Sequence, residues 1–95
     1  MKRAKQKTSF GTLEILLEKE GEIITEYLIF DKEGRGHTHN KWEICYVVNG
    51  KGIIVNGNKN IEVKKGDVCK IPPNTNHWMI PDGKLEILVV YSDNI

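Results

Sequence analysis

The stretch HTHNKWE, residues 37–43, spends two of the chain's three histidines on alternate positions and sets a glutamate four residues after the second. In extended backbone, residues two apart project to the same face. His37, His39 and Glu43 therefore share a side and can converge on one point. Asn40 and Lys41 leave room for a small adjustment between them. Two imidazole nitrogens and a carboxylate oxygen form a donor set that iron, manganese, nickel, cobalt or zinc accepts. An H-x-H pair alone is more often ordinary surface histidine, and the third histidine changes that reading. In GDVCKIPPNTNHW, residues 66–78, a short strand leads into a Pro72-Pro73 turn whose rings fix φ, and His77 follows. All three histidines thus fall in two segments that antiparallel pairing can bring together.

Outward from these segments the chain is punctuated by nine glycines, with short runs rich in Ile, Val, Leu, Tyr and Trp between them. This is the pattern of many short strands. Strands are expected over 13–17, 23–30, 42–48, 52–55, 60–63, 67–71 and 85–91. NGNK, residues 56–59, separates two of them as a hairpin turn, because Gly and Asn accept positive φ at little cost. Residues 12–20 contain good helix formers, but the all-β context and the breakers on both sides favour strand. Seven short antiparallel strands in one chain imply an all-β sandwich or small barrel.

A length of 95 residues suits one domain. Residues 12–95 are read as that domain, with 1–11 as a flexible basic N-terminus or an edge-strand lead-in. A formal charge of +1, with both signs mixed, gives no electrostatic case for nucleic acid or an anionic membrane as partner. The basic opening, Lys2, Arg3, Lys5 and Lys7, reads as a solvated terminus. No apolar run is long enough to span a bilayer, and the opening lacks the apolar core of a signal peptide, so a cytoplasmic location is expected. Cys45 and Cys69 fit that setting as buried, reduced thiols, and their spacing is not that of a C-x-x-C pair.

The two signature segments resemble those of the cupin superfamily. The first is similar to H-x-H, three or four residues, E, six residues, G, and is met by His37, His39, Glu43 and Gly50. The second is similar to G, five residues, P-x-G, two residues, H, three residues, N, and is met by Gly66, Pro72 and His77. The glycine six positions before the first histidine is Asp31 here, with Gly34 and Gly36 nearby to supply the turn. The glycine after the proline is Asn74, which tolerates the same left-handed backbone, and the final asparagine is Pro81.

The resemblance implies a double-stranded β-helix, the jelly-roll cupin barrel, in which His37, His39, Glu43 and His77 bind one divalent ion. Such a set leaves two positions open on an octahedral ion and none on a tetrahedral one. Glu43 is the candidate catalytic residue, since in some cupins this carboxylate leaves the metal and moves a proton. By parity, Cys45, Val47 and Met79 are candidate pocket-lining residues. Trp42 and Trp78 are expected to turn away from the metal as packing residues, and Lys70 to point to solvent. The function expected is that of a metal-dependent oxygenase, decarboxylase or isomerase acting on a small polar molecule. A non-catalytic ligand-binding module and a metal-stabilised structural barrel are the alternatives. An apolar N-terminal edge over residues 12–17 suggests a homodimer.

Overall fold

The structure is a computed structural model that describes residues 5–94. Every regular element in it is a strand: β1 (Lys5–Lys7), β2 (Gly11–Lys19), β3 (Glu22–Phe30), β4 (Trp42–Asn56), β5 (Lys59–Lys64), β6 (Val68–Ile71) and β7 (His77–Ser92). They pair antiparallel in the order β1-β2-β3-β7-β4-β5, and β6 adds to β4. The fold is the jelly-roll barrel of the cupins. No helix among the described residues is long and apolar enough to cross a membrane.

Two long, bent strands organise the barrel. The first half of β4 lies between β6 and the second half of β7, with Glu43 opposite both Ile71 and Tyr91. Its second half lies between β5 and the first half of β7, with Asn56 opposite both Lys59 and His77. The register shifts between Val47 and Asn49 and again between Gly50 and Gly52, so the strand bends without leaving its ladder. Gly50 makes this possible. It has φ of +83°, and a Cβ there would stand 2.0 Å from the Lys84 carbonyl oxygen.

Here the expected strands 42–48 and 52–55 are one element, and 85–91 is the second half of a strand that begins at His77. Bulges absorb the irregular residues that read as breaks in the sequence. Residues 12–20 fall almost wholly in β2, and the hairpin loop within 56–59 is Gly57-Asn58, with Asn56 paired to Lys59. Lys5 and Lys7 belong to an exposed edge strand on β2, whereas Lys2 and Arg3 lie outside the described residues.

Alternation along the strands fills the interior. Leu28 and Phe30 from β3, Cys45, Val47 and Ile54 from β4, Cys69 and Ile71 from β6, and Met79, Leu85, Ile87 and Val89 from β7 form one apolar cluster. Burial of this surface is the main favourable contribution to folding. Among the described residues, three polar side chains are buried alongside the apolar ones: Glu26, Glu43 and His77. Each of them belongs to the candidate site or to the cavity beside it.

Candidate metal centre

His37, His39, Glu43 and His77 each offer one donor atom, and the four atoms lie within 4.8 Å of one another. Glu43 is on β4 and His77 opens β7, both buried. His37 and His39 precede β4 in irregular chain. A continuous strand is therefore not what aligns the H-x-H pair. His37 is held by a two-way backbone bridge to His77, its N–H donating to the His77 carbonyl at 3.2 Å and its carbonyl accepting from the His77 N–H at 3.1 Å. His39 is held by the turn after Pro73, where the Asn74 N–H donates to its carbonyl at 2.7 Å. Asn74 has φ of 61°, the left-handed backbone that the family's glycine would adopt.

Each imidazole is anchored by Nδ1 to a backbone carbonyl oxygen: His37 to Arg35 at 3.2 Å, His39 to Lys41 at 3.1 Å and His77 to Thr75 at 2.8 Å. A carbonyl only accepts, so Nδ1 carries a proton in each ring; Nε2 of His39 and His77 donates to Glu43 only where that nitrogen is protonated too, and it is the nitrogen a metal would use once that proton is lost. The Nε2 atoms of His39 and His77 stand 2.9 Å and 3.1 Å from Glu43 Oε1. The other Glu43 oxygen accepts the Cys45 thiol at 3.2 Å. Three fixed imidazoles with matching tautomers and a hydrogen-bonded carboxylate are the donor chemistry and supporting contacts a divalent ion requires.

The electrostatics of the protein without an ion fit the same reading. Burial pushes the Glu43 carboxyl up, but hydrogen bonds from His77 and His39, the charge on His77 and the Cys45 thiol bring it below its ordinary 4.5. Burial lowers His77, and the hydrogen bond and charge of Glu43 with the Thr75 carbonyl raise it above its ordinary 6.5. His77 thus holds a proton more readily than a free imidazole does, at the site where a cation would bind. Burial, then the charge of Glu43, keeps Cys45 a neutral thiol well above its usual range.

Beside this group lies a cavity of about 240 Å³. His37 and Glu43 form part of its wall, and Phe10, Leu13, Leu28, Phe30 and Met79 give it an apolar lobe. Of the three expected wall residues, Met79 lines the cavity, whereas Cys45 and Val47 are fully buried in the core next to Glu43. Trp78 also departs from expectation. It lines the cavity, and its indole N–H donates to Glu33 at 3.0 Å, because the 33–37 segment folds across β7 at that point. Trp42 is half-buried at the start of β4, and Lys70 is exposed while its neighbour Cys69 is buried.

The sequence reading singled out neither Glu26 nor Tyr91, yet both line the cavity. The Tyr91 hydroxyl donates to Glu26 Oε1 at 2.5 Å, and the Tyr91 ring meets His39 edge-on with centroids 5.3 Å apart. A signal was present. In EIITEYLIF, Glu26 has the parity of the buried Leu28 and Phe30, and a carboxylate at a core position is expensive without a purpose.

The family model described as "Cupin domain" matches residues 29–91. The chain is 39% identical over 64 residues to an acireductone dioxygenase of Leptospira biflexa, a match covering 61% of this chain and 36% of that protein. It is 30% identical over 60 residues to a 1-hydroxy-2-naphthoate 1,2-dioxygenase of Nocardioides, covering 63% and 16%. Both matches span well under half of those relatives. Among solved structures, the plu4264 protein of Photorhabdus luminescens superposes with a TM-score of 0.80 at 22% identity, covering 96% of this chain and 82% of that one.

Proposed function

This chain belongs to the cupin domain family, and from that membership we propose that His37, His39, Glu43 and His77 hold one divalent metal ion in a small metal-dependent oxygenase acting on a small molecule. The observation that carries the proposal is the set of three imidazoles, each tied by Nδ1 to a backbone carbonyl, meeting a buried carboxylate at the wall of a cavity. Similarity to two dioxygenases favours oxygenase over decarboxylase or isomerase. Bound there, an ion of iron, manganese, nickel or cobalt supplies Lewis acidity and oxygen chemistry.

The chain's own residues do the rest. The imidazoles bind through Nε2, and their backbone anchors hold the rings against rotation. Glu43 would be a ligand to the ion and the group that takes or gives a proton, with the Cys45 thiol donating to its second oxygen. The apolar lobe excludes water from the reacting end of the substrate. The proposal extends to a single cupin domain over residues 12–95 with 1–11 as its lead-in, to a homodimer and to a cytoplasmic location.

Elemental analysis of protein purified without added metal, beside a His37→Ala, His39→Ala variant, tests this reading. Oxygen uptake with acireductone and with 1-hydroxy-2-naphthoate is measured in parallel. About one equivalent of a redox-capable metal, lost in the variant together with oxygen uptake, is the expected result. Zinc with no oxygen uptake points instead to a ligand-binding or structural barrel. No metal in either protein overturns the proposal.

A further inference from the structure

We infer that Glu26, held in place by Tyr91, is the specificity-determining acceptor of the cavity: it selects a ligand that presents a hydroxyl or amide N–H donor beside an apolar body. The inference deepens the metal-site reading and rests on it only for the orientation of the ligand's other end.

Glu26 lies in the middle of β3, is 6% exposed and lines the cavity. One of its oxygens accepts the Tyr91 hydroxyl. The other has no protein donor among the described residues, yet no buried side-chain oxygen is left both sealed from solvent and unpartnered. The second oxygen therefore looks into the cavity. The wall is largely apolar, from Phe10, Leu13, Leu28 and Phe30, and its polar members include Ser9 and a second carboxylate, Glu43. The basic side chains on the lining are His37 and Arg35, both exposed.

These facts decide what such a cavity accepts. A carboxylate oxygen only accepts, so a ligand donor placed there gains a charge-assisted hydrogen bond, while an ether or ester oxygen leaves the carboxylate without a partner. With no metal ion at the four donors, an anionic group there faces the like charge of Glu26 and Glu43. The pair is not needed to join its strands. Thr25 already pairs with Val90, and Glu26 with Val89, through the backbone. A purely structural role would change stability on substitution and leave ligand preference untouched.

The test uses two probes with one apolar body, p-cresol, which donates, and 4-methylanisole, which cannot. Each is titrated at pH 8 into the protein as purified and after chelator treatment, with NMR chemical shifts as readout. The expected result in the chelated protein is p-cresol binding roughly tenfold or more tightly than the ether. Glu26→Gln keeps the shape but turns a donating amide toward the cavity, and it abolishes or reverses the preference. Glu26→Asp, which keeps the carboxylate, retains the order of the two probes. Elemental analysis is expected to find wild-type metal content in Glu26→Gln. Equal affinities in the wild type, or a preference that survives Glu26→Gln, overturn the inference, and the wild-type comparison stands even where a variant fails to fold. Absence of metal from the purified wild type overturns the metal reading alone, because the chelated-protein titration still decides this one.

Discussion

At His77 a proton and the proposed metal ion would compete for one nitrogen, and the sign of that competition is readable in solution. Without metal, His77 is raised above 6.5, so its pairing with Glu43 stabilises the fold fully below that value and is lost as pH rises through the folded-state value. Glu43, lowered below 4.5, contributes stability above its ordinary value that disappears as pH falls through the folded one. Glu26 is raised by burial, offset in part by Tyr91 and increased by the charge of Glu43, and so it too favours the fold toward lower pH. In chelated protein the Tm is therefore expected to be higher near pH 5.5 than at pH 8. Metal binding displaces the His77 proton, so the Tm gain on adding metal is expected to grow from pH 5.5 to pH 8. Thermal denaturation with and without chelator checks both slopes. A chelated protein that gains stability toward pH 8 contradicts the pairing.

The site depends at the level of elements on two backbone positions that no ordinary residue fills without strain. Gly50 lets β4 bend so that one strand supports both Glu43 and the partner of His77. Asn74 closes the turn that carries His39, in left-handed backbone where a residue with a Cβ costs about 1–2 kcal/mol. Asn74→Gly is expected to be close to neutral in chemical denaturation, whereas Asn74→Ala loses about 1 kcal/mol or more. Because the turn's N–H holds the His39 carbonyl, metal affinity is expected to fall in Asn74→Ala and not in Asn74→Gly, a pair of outcomes that isothermal titration separates. Equal affinity in both variants would detach the turn from the site.

The edge expected over residues 12–17 is paired on both sides, by β1 and β3, and among the described residues the sheet ends there at β1, whose three residues are all exposed. Leu17 on the neighbouring strand is 54% exposed, and Tyr46 and Val68, opposite one another on β4 and β6, are 43% and 61% exposed. An open edge and uncovered apolar side chains are what pairing across a two-fold axis removes from water. A dimer mass by size-exclusion chromatography with light scattering is the expected outcome. A Leu17→Lys substitution should shift the protein toward monomer without lowering its metal content, since Leu17 lies on β2 away from the four donors. A monomer mass for the wild type contradicts the assembly.

The spacing His37, His39, Glu43, Gly50 and Gly66, Pro72, His77 carries the resemblance that implies the barrel and the four donors, whereas the bridge to His77 and the Asn74 turn, not a shared strand, align His37 and His39. The alternation of Glu26 with Leu28 and Phe30 was equally legible, but its meaning was not. Parity says that a side chain points inward; it cannot say whether the interior at that depth is packed or hollow. Cys45, Val47 and Met79 all face inward, and only Met79 borders space. Trp78 lines the cavity because the 33–37 segment crosses β7 there, a contact between residues more than forty positions apart. Strand identity and donor spacing are local properties and were determined by the sequence alone. The merging of 42–48 and 52–55 into one bent strand, the extension of 85–91 back to His77, the Glu26–Tyr91 pair and the position of the cavity depend on long-range register and packing, which only the tertiary structure decides.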